Sequence, residues 1–363
     1  MKAGALDVRR AAVPWTGIGQ YASVFRDRLP AAMGSDCPSF ICGSGLTVRE
    51  TGSPVVRDLM QRRRKLLFEQ IALPRWASLR RPSFLHIPWY EGPWRAACPL
   101  IINVHDLDTL LHPHRYSPHF RLYYNGLLRQ YARSARAILV LSENTAEDVV
   151  RHLRPTVRPD IIPLGPADEF RRADRSLGRA LLKELGVSDS LPVAVSASGV
   201  GLRKNLGTLG RALEVVHAAG VELALVVTQT DRIPEALKPA ANAGVPIIAA
   251  GFLERQDVAN LLAAAEVSIC PSFYEGFGLA VIESMAAGCP VIASKAGSHP
   301  EVVGDAAVLF ETEEPSDLAA CIRAILSDSN LAASLRSRGR ERASGYSWDE
   351  AVRRTIEVYE RFG

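Results

Sequence analysis

The sequence predicts an α/β protein with two doubly wound domains, each a parallel sheet covered by helices. Short apolar runs alternate with helix-like segments along most of the chain, and strands this apolar are typical of sheets buried on both faces. The 363 residues suffice for two domains of about 100–200 residues each. With 47% hydrophobic and 23% charged residues, the composition excludes a disordered chain, collagen and a simple coiled coil.

Eight apolar runs are predicted strands, and three longer segments are predicted helices. The strands are Ile101–Val104, Ala137–Leu141, Asp160–Pro163, Pro192–Ala197, Leu223–Val227, Pro246–Ala249, Val267–Cys270 and Pro290–Ala293. The helices are Asn205–Ala219, Asp257–Ala265 and Leu279–Ala287. The polar segment Leu164–Asp174 predicts the domain break, and Trp348–Phe362 has the apolar face of an amphipathic helix. We therefore expect domains over residues 1–167 and 168–345, followed by a helix over residues 346–363.

Charge is unevenly distributed along the chain. The net charge is +10 up to Gly165 and −6 beyond it, against +4 overall. The positive excess is densest in Arg57–Arg81, where apolar residues are interleaved with basic ones. This pattern fits a basic amphipathic helix on an anionic membrane, and it also fits a solvated helix with its other face in the core. Because no recognised nucleic-acid module accompanies the charge, we expect no nucleic-acid partner.

Several features bear on localisation. The apolar runs are shorter than the roughly 18 residues of a membrane-spanning helix, and residues 1–10 lack the apolar segment of a secretion signal. The six cysteines form no C-x-x-C pair and no cluster with zinc-ligand spacing. We expect a cytoplasmic protein with reduced thiols and no metal, peripheral to the inner face of the membrane if the basic segment binds lipid.

The segment Gly17–Ala22, which includes Gly19, fits the pattern G-x-G-x-x-A. Such glycines let backbone amides approach a phosphate at a helix N-terminus. A dinucleotide site, as in an NAD-dependent dehydrogenase, also requires an uninterrupted apolar strand before the motif. Here Asp7, Arg9 and Arg10 interrupt the preceding segment. A phosphate loop and an ordinary turn therefore both remain open.

His105 and Asp106 directly follow the predicted strand Ile101–Val104. Ligands of open α/β sheets bind beyond the carboxyl ends of the strands, so His105 is a candidate site residue. Asp106 and Asp108 form a D-x-D pair of the kind that holds a divalent metal on a diphosphate. We favour the simpler interpretation, in which Asp106 caps a turn or helix.

Arg203 and Lys204 follow the strand Pro192–Ala197 and a glycine-containing loop, and they precede a predicted helix. Two cations at a helix N-terminus beyond a strand favour an anion site over an ordinary surface pair.

The segment Pro271–Glu283 carries the strongest signal. A strand leads into a glycine-containing loop and a helix, whose first amides, at Gly278 and Leu279, can point at an anion. A phosphate would repel Glu275 and Glu283, so we interpret these carboxylates as acceptors for the hydroxyls of a sugar or a ribose. Two solvated surface carboxylates are the alternative.

The spacing of Glu275 and Glu283 resembles the E-x7-E motif of retaining glycosyltransferases of family 4, which have the GT-B fold. The flanks agree with that family: Tyr-Glu-Gly-Phe-Gly-Leu, then Glu-Ser-Met-Ala-Ala-Gly-Cys-Pro-Val, then His-Pro-Glu-Val-Val-Gly-Asp. Further matching segments are Gly17–Tyr21, Val104–Asp106, Val140–Asn144, Ile162–Gly165, Arg203–Asn205 and Tyr346–Trp348. The resemblance covers nearly the whole chain. It implies two Rossmann-like domains facing across a cleft, the first binding the acceptor and the second the nucleotide sugar, with the last helix packed back on the first.

The resemblance also implies residue roles. Glu275 would hold hydroxyls of the donor sugar, and Glu283 would hold the ribose. Arg203 and Lys204 would neutralise the diphosphate as its bond to the sugar breaks. The remaining donor contacts would be Gly17 and Gly19 near the diphosphate, His105 near the sugar, Phe252 near the base, and the backbone amides of Phe277, Gly278 and Leu279. One departure is Ser198, where the family usually has glycine, so we expect a rearranged loop.

The reaction implied by the resemblance retains the anomeric configuration through an oxocarbenium-like transition state. It needs no metal and no cofactor besides the nucleotide-sugar donor. The flanking segments are most similar to those of mannosyltransferases, which favours GDP-mannose over UDP-glucose or UDP-N-acetylglucosamine. The basic first half favours a glycan or lipid-linked acceptor in polysaccharide or glycoconjugate biosynthesis, and a soluble acceptor stays open. The rival interpretations are the NAD-dependent dehydrogenase, a nucleotide-sugar epimerase and a non-catalytic sugar-binding protein.

Overall fold

A computed structural model describes residues 4–12, 16–42, 65–89 and 91–362 of the chain. Residues 57–64 of the basic segment lie outside the described residues. The chain divides into two compact units, Met1–Pro163 with Trp348–Gly363, and Leu164–Ser347. Each unit is built on one parallel sheet.

The sheet of the first unit has the strand order β2-β1-β3-β4-β5-β6. Its strands are β1 (Ala5–Asp7), β2 (Ser39–Ile41), β3 (Leu85–Ile87), β4 (Leu100–Val104), β5 (Ala137–Val140) and β6 (Asp160–Ile161). The central strands β1, β3, β4 and β5 are buried along their whole length, as parallel strands covered on both faces must be.

The sheet of the second unit has the strand order β12-β11-β10-β7-β8-β9. Its strands are β7 (Val193–Ser196), β8 (Ala224–Val227), β9 (Ile247–Ala249), β10 (Val267–Cys270), β11 (Val291–Ser294) and β12 (Val308–Phe310). β7 and β10 are hydrogen-bonded neighbours in parallel register, so the loops that follow them leave the sheet at the same edge. This pairing assembles the candidate site.

The described helices connect the strands in chain order. They are α1 (Gly17–Met33), α2 (Leu73–Arg80), α3 (Asp108–Leu111), α4 (Pro118–Ser134), α5 (Glu143–Leu153), α6 (Asp168–Arg171), α7 (Arg175–Glu184), α8 (Leu206–Ala218), α9 (Lys238–Asn242), α10 (Arg255–Ala264), α11 (Leu279–Ala286), α12 (His299–Val303), α13 (Pro315–Ser327), α14 (Ser329–Ser344) and α15 (Trp348–Glu360). Side-chain oxygens of Thr16, Ser142 and Asp174 cap the starts of α1, α5 and α7. No single helix in this part of the chain is both long and apolar enough to cross a bilayer.

The eight predicted strands are present, each within two residues of its predicted bounds. The strands β1, β2, β3 and β12 were not predicted from the sequence. β1 ends in Asp7, whose side chain is fully buried and would be costly there alone. Arg9 compensates it, with Nη2 2.7 Å from Oδ2. Two of the three charged residues that argued against a strand, Asp7 and Arg9, therefore form an internal ion pair, and the third, Arg10, pairs with Glu91.

The helix α15 packs on the first unit through a buried polar network. The Tyr359 ring stacks on Phe84, with centroids 4.4 Å apart, and its hydroxyl donates to His86 Nδ1 over 2.6 Å. His86 Nε2 donates to Asn103 Oδ1 over 2.6 Å, because that oxygen can only accept. Burial lowers the pKa of His86 to about 4, so this imidazole is neutral.

Candidate active site

The loop after β7 carries the two predicted phosphate-binding cations. It ends in a tight turn over Leu202–Lys204, followed by Asn205 in the left-handed conformation with φ of 52°. The buried side-chain amide of Asn205 donates to the carbonyl oxygen of Thr312 over 2.8 Å, which fixes the start of α8. The left-handed glycine of this loop is Gly199, with φ of 84°, directly after Ser198.

Glu275 lies between both cations. Lys204 Nζ donates to its Oε1 over 2.7 Å, and Arg203 Nη1 lies 3.0 Å from its Oε2. The Ser272 hydroxyl donates to Oε1 over 2.8 Å. The Glu275 side chain is only 11% exposed. The three charged groups therefore form a half-enclosed triad with a net charge of +1.

The triad keeps Glu275 ionised. Burial by itself would raise the pKa of Glu275, but Lys204 and Arg203 outweigh it and hold the pKa well below its usual range. A carboxylate with so low a pKa cannot deliver a proton at neutral pH. It can accept hydrogen bonds and hold the two cations in place.

Two glycines fix the backbone around Glu275. Gly297 has a φ of 54°, and a Cβ there would lie 2.3 Å from the Glu275 carbonyl oxygen. The amide and the hydroxyl of Ser298 both donate to that oxygen over 3.0 Å. Gly278 has a φ of 87°, and a Cβ there would lie 2.8 Å from Cδ2 of His299. Both positions therefore require glycine.

His299, which the sequence analysis gave no role, is buried beside the triad. Its Nδ1 lies 3.2 Å from the carbonyl oxygen of Ser294, to which it donates. Burial lowers the pKa of His299, although Glu275 opposes the shift. The neutral imidazole fills the space behind Gly278 without adding a third positive charge to Arg203 and Lys204.

Phe277 precedes the start of α11 and is buried, with its ring edge-on to Tyr346 at a centroid distance of 5.6 Å. Gly278 is the N-cap residue and Leu279 the first helical residue of α11. Amides in the first turn of a helix have no acceptor within the helix and favour an anion. These are the amides that the sequence analysis selected.

Glu283, on α11, is paired with a cation. Its Oε1 accepts from Nη2 of Arg255 over 2.7 Å, and its side chain is 14% exposed. Arg255 is the first residue of α10, and its guanidinium carbon lies 5.7 Å from the centroid of the Phe170 ring.

Phe252 lies on the loop between β9 and α10 and is 76% exposed. The preceding Gly251, with φ of 73°, exchanges two backbone hydrogen bonds of 2.8 Å with Gln229 and Thr230 on the loop after β8. The exposed aromatic ring is therefore attached to a braced loop. A ring in this setting offers a stacking surface for a flat base.

His105 lies in the first unit, directly after β4. Its Nε2 donates to the carbonyl oxygen of Pro88 over 2.6 Å, so Nδ1 carries the lone pair. The Tyr21 ring packs edge-on against the imidazole at 5.7 Å, and burial lowers the pKa of His105. The side chain is thus a neutral, oriented hydrogen-bond acceptor.

The glycine motif forms the first turn of α1. The amide of Gly19 donates to Oγ1 of Thr16 over 3.0 Å, so it is engaged within the helix cap. Gly17 begins the helix, and a Cβ there would meet nothing within 4 Å.

The D-x-D pair forms a hydrogen-bonded turn. Asp106 Oδ1 accepts from the amide of Asp108 over 3.1 Å. The buried Asp108 carboxylate accepts from His112, Arg115 and Tyr116 over 2.7, 3.1 and 2.5 Å. Among residues 4–12, 16–42, 65–89 and 91–362, no group of three or more His, Cys, Asp or Glu side chains has the arrangement of a metal site.

Two family models match the chain over most of its length. The model described as Glycosyltransferase Family 4 matches residues 29–168, and that described as Glycosyl transferases group 1 matches residues 182–342. The chain is a family 4 glycosyltransferase. The second match contains Arg203, Lys204, Glu275 and Glu283, and the first contains His105.

Relatives of this glycosyltransferase include mannosyltransferases. The serotype-specific mannosyltransferase WbdA of Escherichia coli is 28% identical over 76% of this chain and 34% of its own length. The MMP alpha-(1→4)-mannosyltransferase of Mycolicibacterium hassiacum is 31% identical over 64% of this chain and 56% of its own length. The chain thus spans about a third of the length of the first of these relatives and just over half of the second.

Solved structures confirm the GT-B fold of the glycosyltransferase. Sucrose-phosphate synthase from Thermosynechococcus elongatus superposes with a TM-score of 0.77 over 99% of both chains at 20% identity. HepE from Anabaena, solved in complex with UDP-glucose, has a TM-score of 0.73 at 17% identity over 99% of both chains. The two family matches contradict the dehydrogenase interpretation of Gly17–Ala22.

Three neighbours of the predicted residues in this glycosyltransferase were not predicted from the sequence. They are Arg255 at Glu283, Ser272 at Glu275 and His299 behind Gly278. Ser272 lies in the segment Pro271–Glu283 and His299 in the matched flanks, where their proximity to Glu275 could have been suspected. Nothing in the local sequence marks Arg255, because its partner is 28 positions away on another helix.

Proposed function

We propose that this glycosyltransferase moves a mannosyl residue from GDP-mannose to a hydroxyl of a glycan or lipid-linked acceptor, with retention of configuration. The observation that carries this proposal is the triad of Arg203, Lys204 and Glu275 at the carboxyl edge of the second sheet. In this triad the Glu275 carboxylate can accept hydrogen bonds from sugar hydroxyls, and the two cations beside it can bind a diphosphate.

Leaving-group stabilisation follows from the charge of the triad. Negative charge grows on the diphosphate as its bond to the sugar breaks, so Arg203 and Lys204 stabilise the transition state more than the ground state. The amides at the start of α11 add to this effect. Because Glu275 stays ionised, it is not the acid that protonates the leaving group. The departing phosphate is then the base that accepts the proton of the acceptor hydroxyl, in a front-side displacement that retains configuration.

Recognition of the donor would use the remaining site residues. Glu283 would accept hydrogen bonds from the ribose, and the exposed Phe252 would lie against the base. His105, through Nδ1, would accept a hydrogen bond from a hydroxyl of the donor sugar. The similarity to mannosyltransferases supports mannose as the transferred sugar. GDP is proposed as the nucleotide because the flanks of Glu275 and Glu283 resemble those of the mannosyltransferase branch.

A UDP-glucose transferase is the second candidate. The observation in its favour is the fold similarity to HepE, which was solved with UDP-glucose. The two candidates differ in base and sugar but use the same triad.

A lipid-linked acceptor would bring the protein to the membrane. The described part of the basic segment exposes Leu67, Ile71 and Leu79 at 52, 59 and 75%, together with the exposed Arg75 and Arg80. Apolar side chains among cations suit an anionic lipid surface. We expect co-sedimentation with vesicles of phosphatidylglycerol and phosphatidylcholine, weakened by Ile71→Ser with Leu79→Ser. Equal binding to pure phosphatidylcholine would exclude the electrostatic contribution.

A donor panel tests the transferase proposal. GDP-mannose, GDP, UDP-glucose, UDP and NAD are compared by thermal shift, and sugar release from each donor is measured by chromatography. A ligand that binds only the folded state at a hundredfold its Kd stabilises it by about 2.7 kcal/mol. We expect a shift with GDP-mannose and GDP that Lys204→Met abolishes and the surface variant Lys295→Met preserves. A shift with UDP-glucose and UDP alone would establish the second candidate, and a shift with NAD alone would refute both.

A further inference from the structure

The contact between Arg255 and Glu283 connects two predicted donor subsites. Arg255 is separated from Phe252 by two residues, and it opens α10 at the end of the loop assigned to the base. Its Nη2 donates to Glu283 Oε1 over 2.7 Å. A single guanidinium thus joins the base loop to the carboxylate on α11.

The Arg255 guanidinium is itself held in place. It lies 5.7 Å from the centroid of the Phe170 ring, and the Phe170 side chain is 3% exposed. Its Nε is buried and has no hydrogen-bond partner among the described residues. Leaving that donor unsatisfied is unfavourable. The side chain is therefore fixed by Phe170 and Glu283 rather than by a full set of hydrogen bonds.

A carboxylate must have a defined plane to receive a vicinal diol. It has about four acceptor positions, of which the bond from Arg255 uses one. The guanidinium is planar and rigid, so this bond restricts the rotation of the Glu283 carboxylate. The carboxylate can then accept from the two ribose hydroxyls at once, one on each oxygen.

We propose that Arg255 is a positioning residue that orients Glu283 toward the 2′- and 3′-hydroxyls of the donor ribose, and that it thereby sets the preference for ribonucleotides over deoxyribonucleotides. This inference rests on the proposed function, in which Glu283 holds the ribose. The proposed role of Arg255 is to act through Glu283, with which it is in contact, rather than to bind the nucleotide itself.

The test measures the Kd values of GDP, 2′-deoxy-GDP, UDP and 2′-deoxy-UDP by calorimetry. We expect wild type to bind the ribonucleotide of the preferred base about 10- to 100-fold more tightly than its deoxy form, the range of a hydrogen bond to a charged group. Arg255→Met should bring the ratio below about 3-fold. Arg255→Lys, which keeps one donor and the charge, should give an intermediate ratio.

The controls separate this inference from the proposed function. Glu283→Gln should also abolish the preference, whereas Arg338→Met, which removes an exposed ion pair with Asp305 in the same unit, should leave it unchanged. If Glu283→Gln keeps the wild-type ratio, the ribose role of Glu283 fails and this inference fails with it. If Glu283→Gln abolishes the ratio but Arg255→Met weakens both nucleotides equally, only the role of Arg255 is refuted. Should Arg255→Met not fold, as judged by circular dichroism, a wild-type ratio in Arg255→Lys refutes that role.

Discussion

The ion pair between Lys204 and Glu275 should be strongly coupled because it is enclosed, and a double-mutant cycle can measure this. Its Nζ–Oε1 distance is 2.7 Å, and its side chains are 16 and 11% exposed. Two unit charges 4 Å apart attract by about 4 kcal/mol at an effective dielectric constant of about 20. Desolvation offsets part of that attraction, and Arg203 still partners Glu275 when Lys204 is replaced. We therefore expect a coupling free energy of about 2 kcal/mol between Lys204→Met and Glu275→Gln.

The exposed pair of Lys295 and Glu311 is the matched control. Its Nζ–Oε1 distance is 2.5 Å, shorter than that of the enclosed pair, but its side chains are 46 and 59% exposed. Exposed pairs of this kind contribute about 0.2–1 kcal/mol. The comparison therefore separates the effect of burial from that of distance.

Urea unfolding of the single and double variants gives both coupling energies. The five tryptophans all lie in the first unit, so their fluorescence reports the unfolding of that unit. The urea midpoint measured by fluorescence should therefore be the same in all variants, because the substitutions lie in the second unit. Far-UV circular dichroism then resolves the transition of the second unit. A coupling energy for Lys204 and Glu275 no larger than that of the surface pair would refute the reasoning.

Burial and close packing should also control the stability of each unit at three other positions. The pKa of His86 is about 4 in the folded protein against 6.5 in the unfolded protein, so the unfolded state takes up a proton more readily. The contribution of His86 to the free energy of unfolding is therefore fully present above pH 6.5, and roughly 3 kcal/mol of it is lost as the pH falls to 4. Urea titrations at pH 7.5 and 4 should show this loss in wild type and less of it in His86→Gln; an equal loss in both would exclude His86 as its source. Gly297→Ala should lower the melting temperature of the second unit more than Gly186→Ala. Both glycines have a positive φ, but only at Gly297 would the added Cβ collide with backbone, the carbonyl oxygen of Glu275. Equal shifts in melting temperature would contradict this. Arg9→Met should destabilise the first unit by about 3–5 kcal/mol, measured by tryptophan fluorescence in urea, because it leaves the buried Asp7 carboxylate uncompensated; a change below 1 kcal/mol would show that Asp7 does not depend on the pair.

The predicted strands were those in which apolar side chains alone fill both faces of the sheet. β5 and β8 are examples, and their local sequences contain all the information needed. β1 and β3 were not predicted because they bury polar side chains, Asp7 and His86 respectively. In each case a partner side chain offsets the cost of burying the polar group. For β3 that partner is Tyr359, which lies 273 positions from His86 in the sequence. A local pattern cannot indicate such a compensation.

The same distinction applies to the candidate site. The ends of β7 and β10 indicated which loops bear chemistry, because ligands of parallel sheets bind at the carboxyl ends of strands. The pairing of Lys204 with Glu275 could not be predicted, since it requires these two strands to be neighbours although the residues are 71 positions apart. The sequence therefore predicted which kinds of side chain the two loops carry, but it did not predict which of those side chains contact each other.

The assignment of α15 to the first unit has a consequence for synthesis on the ribosome. The core of that unit includes Trp348 and Tyr359, which are translated after the whole of Leu164–Ser347. The second unit is contiguous in sequence and can complete its fold while the first still lacks a helix. Until α15 leaves the ribosome, His86 and the ring of Phe84 lack their contacts with Tyr359. The nascent first unit then exposes an apolar surface that chaperones can bind. A premature stop just before Trp348 would thus leave the later-made unit intact and the earlier-made one incomplete.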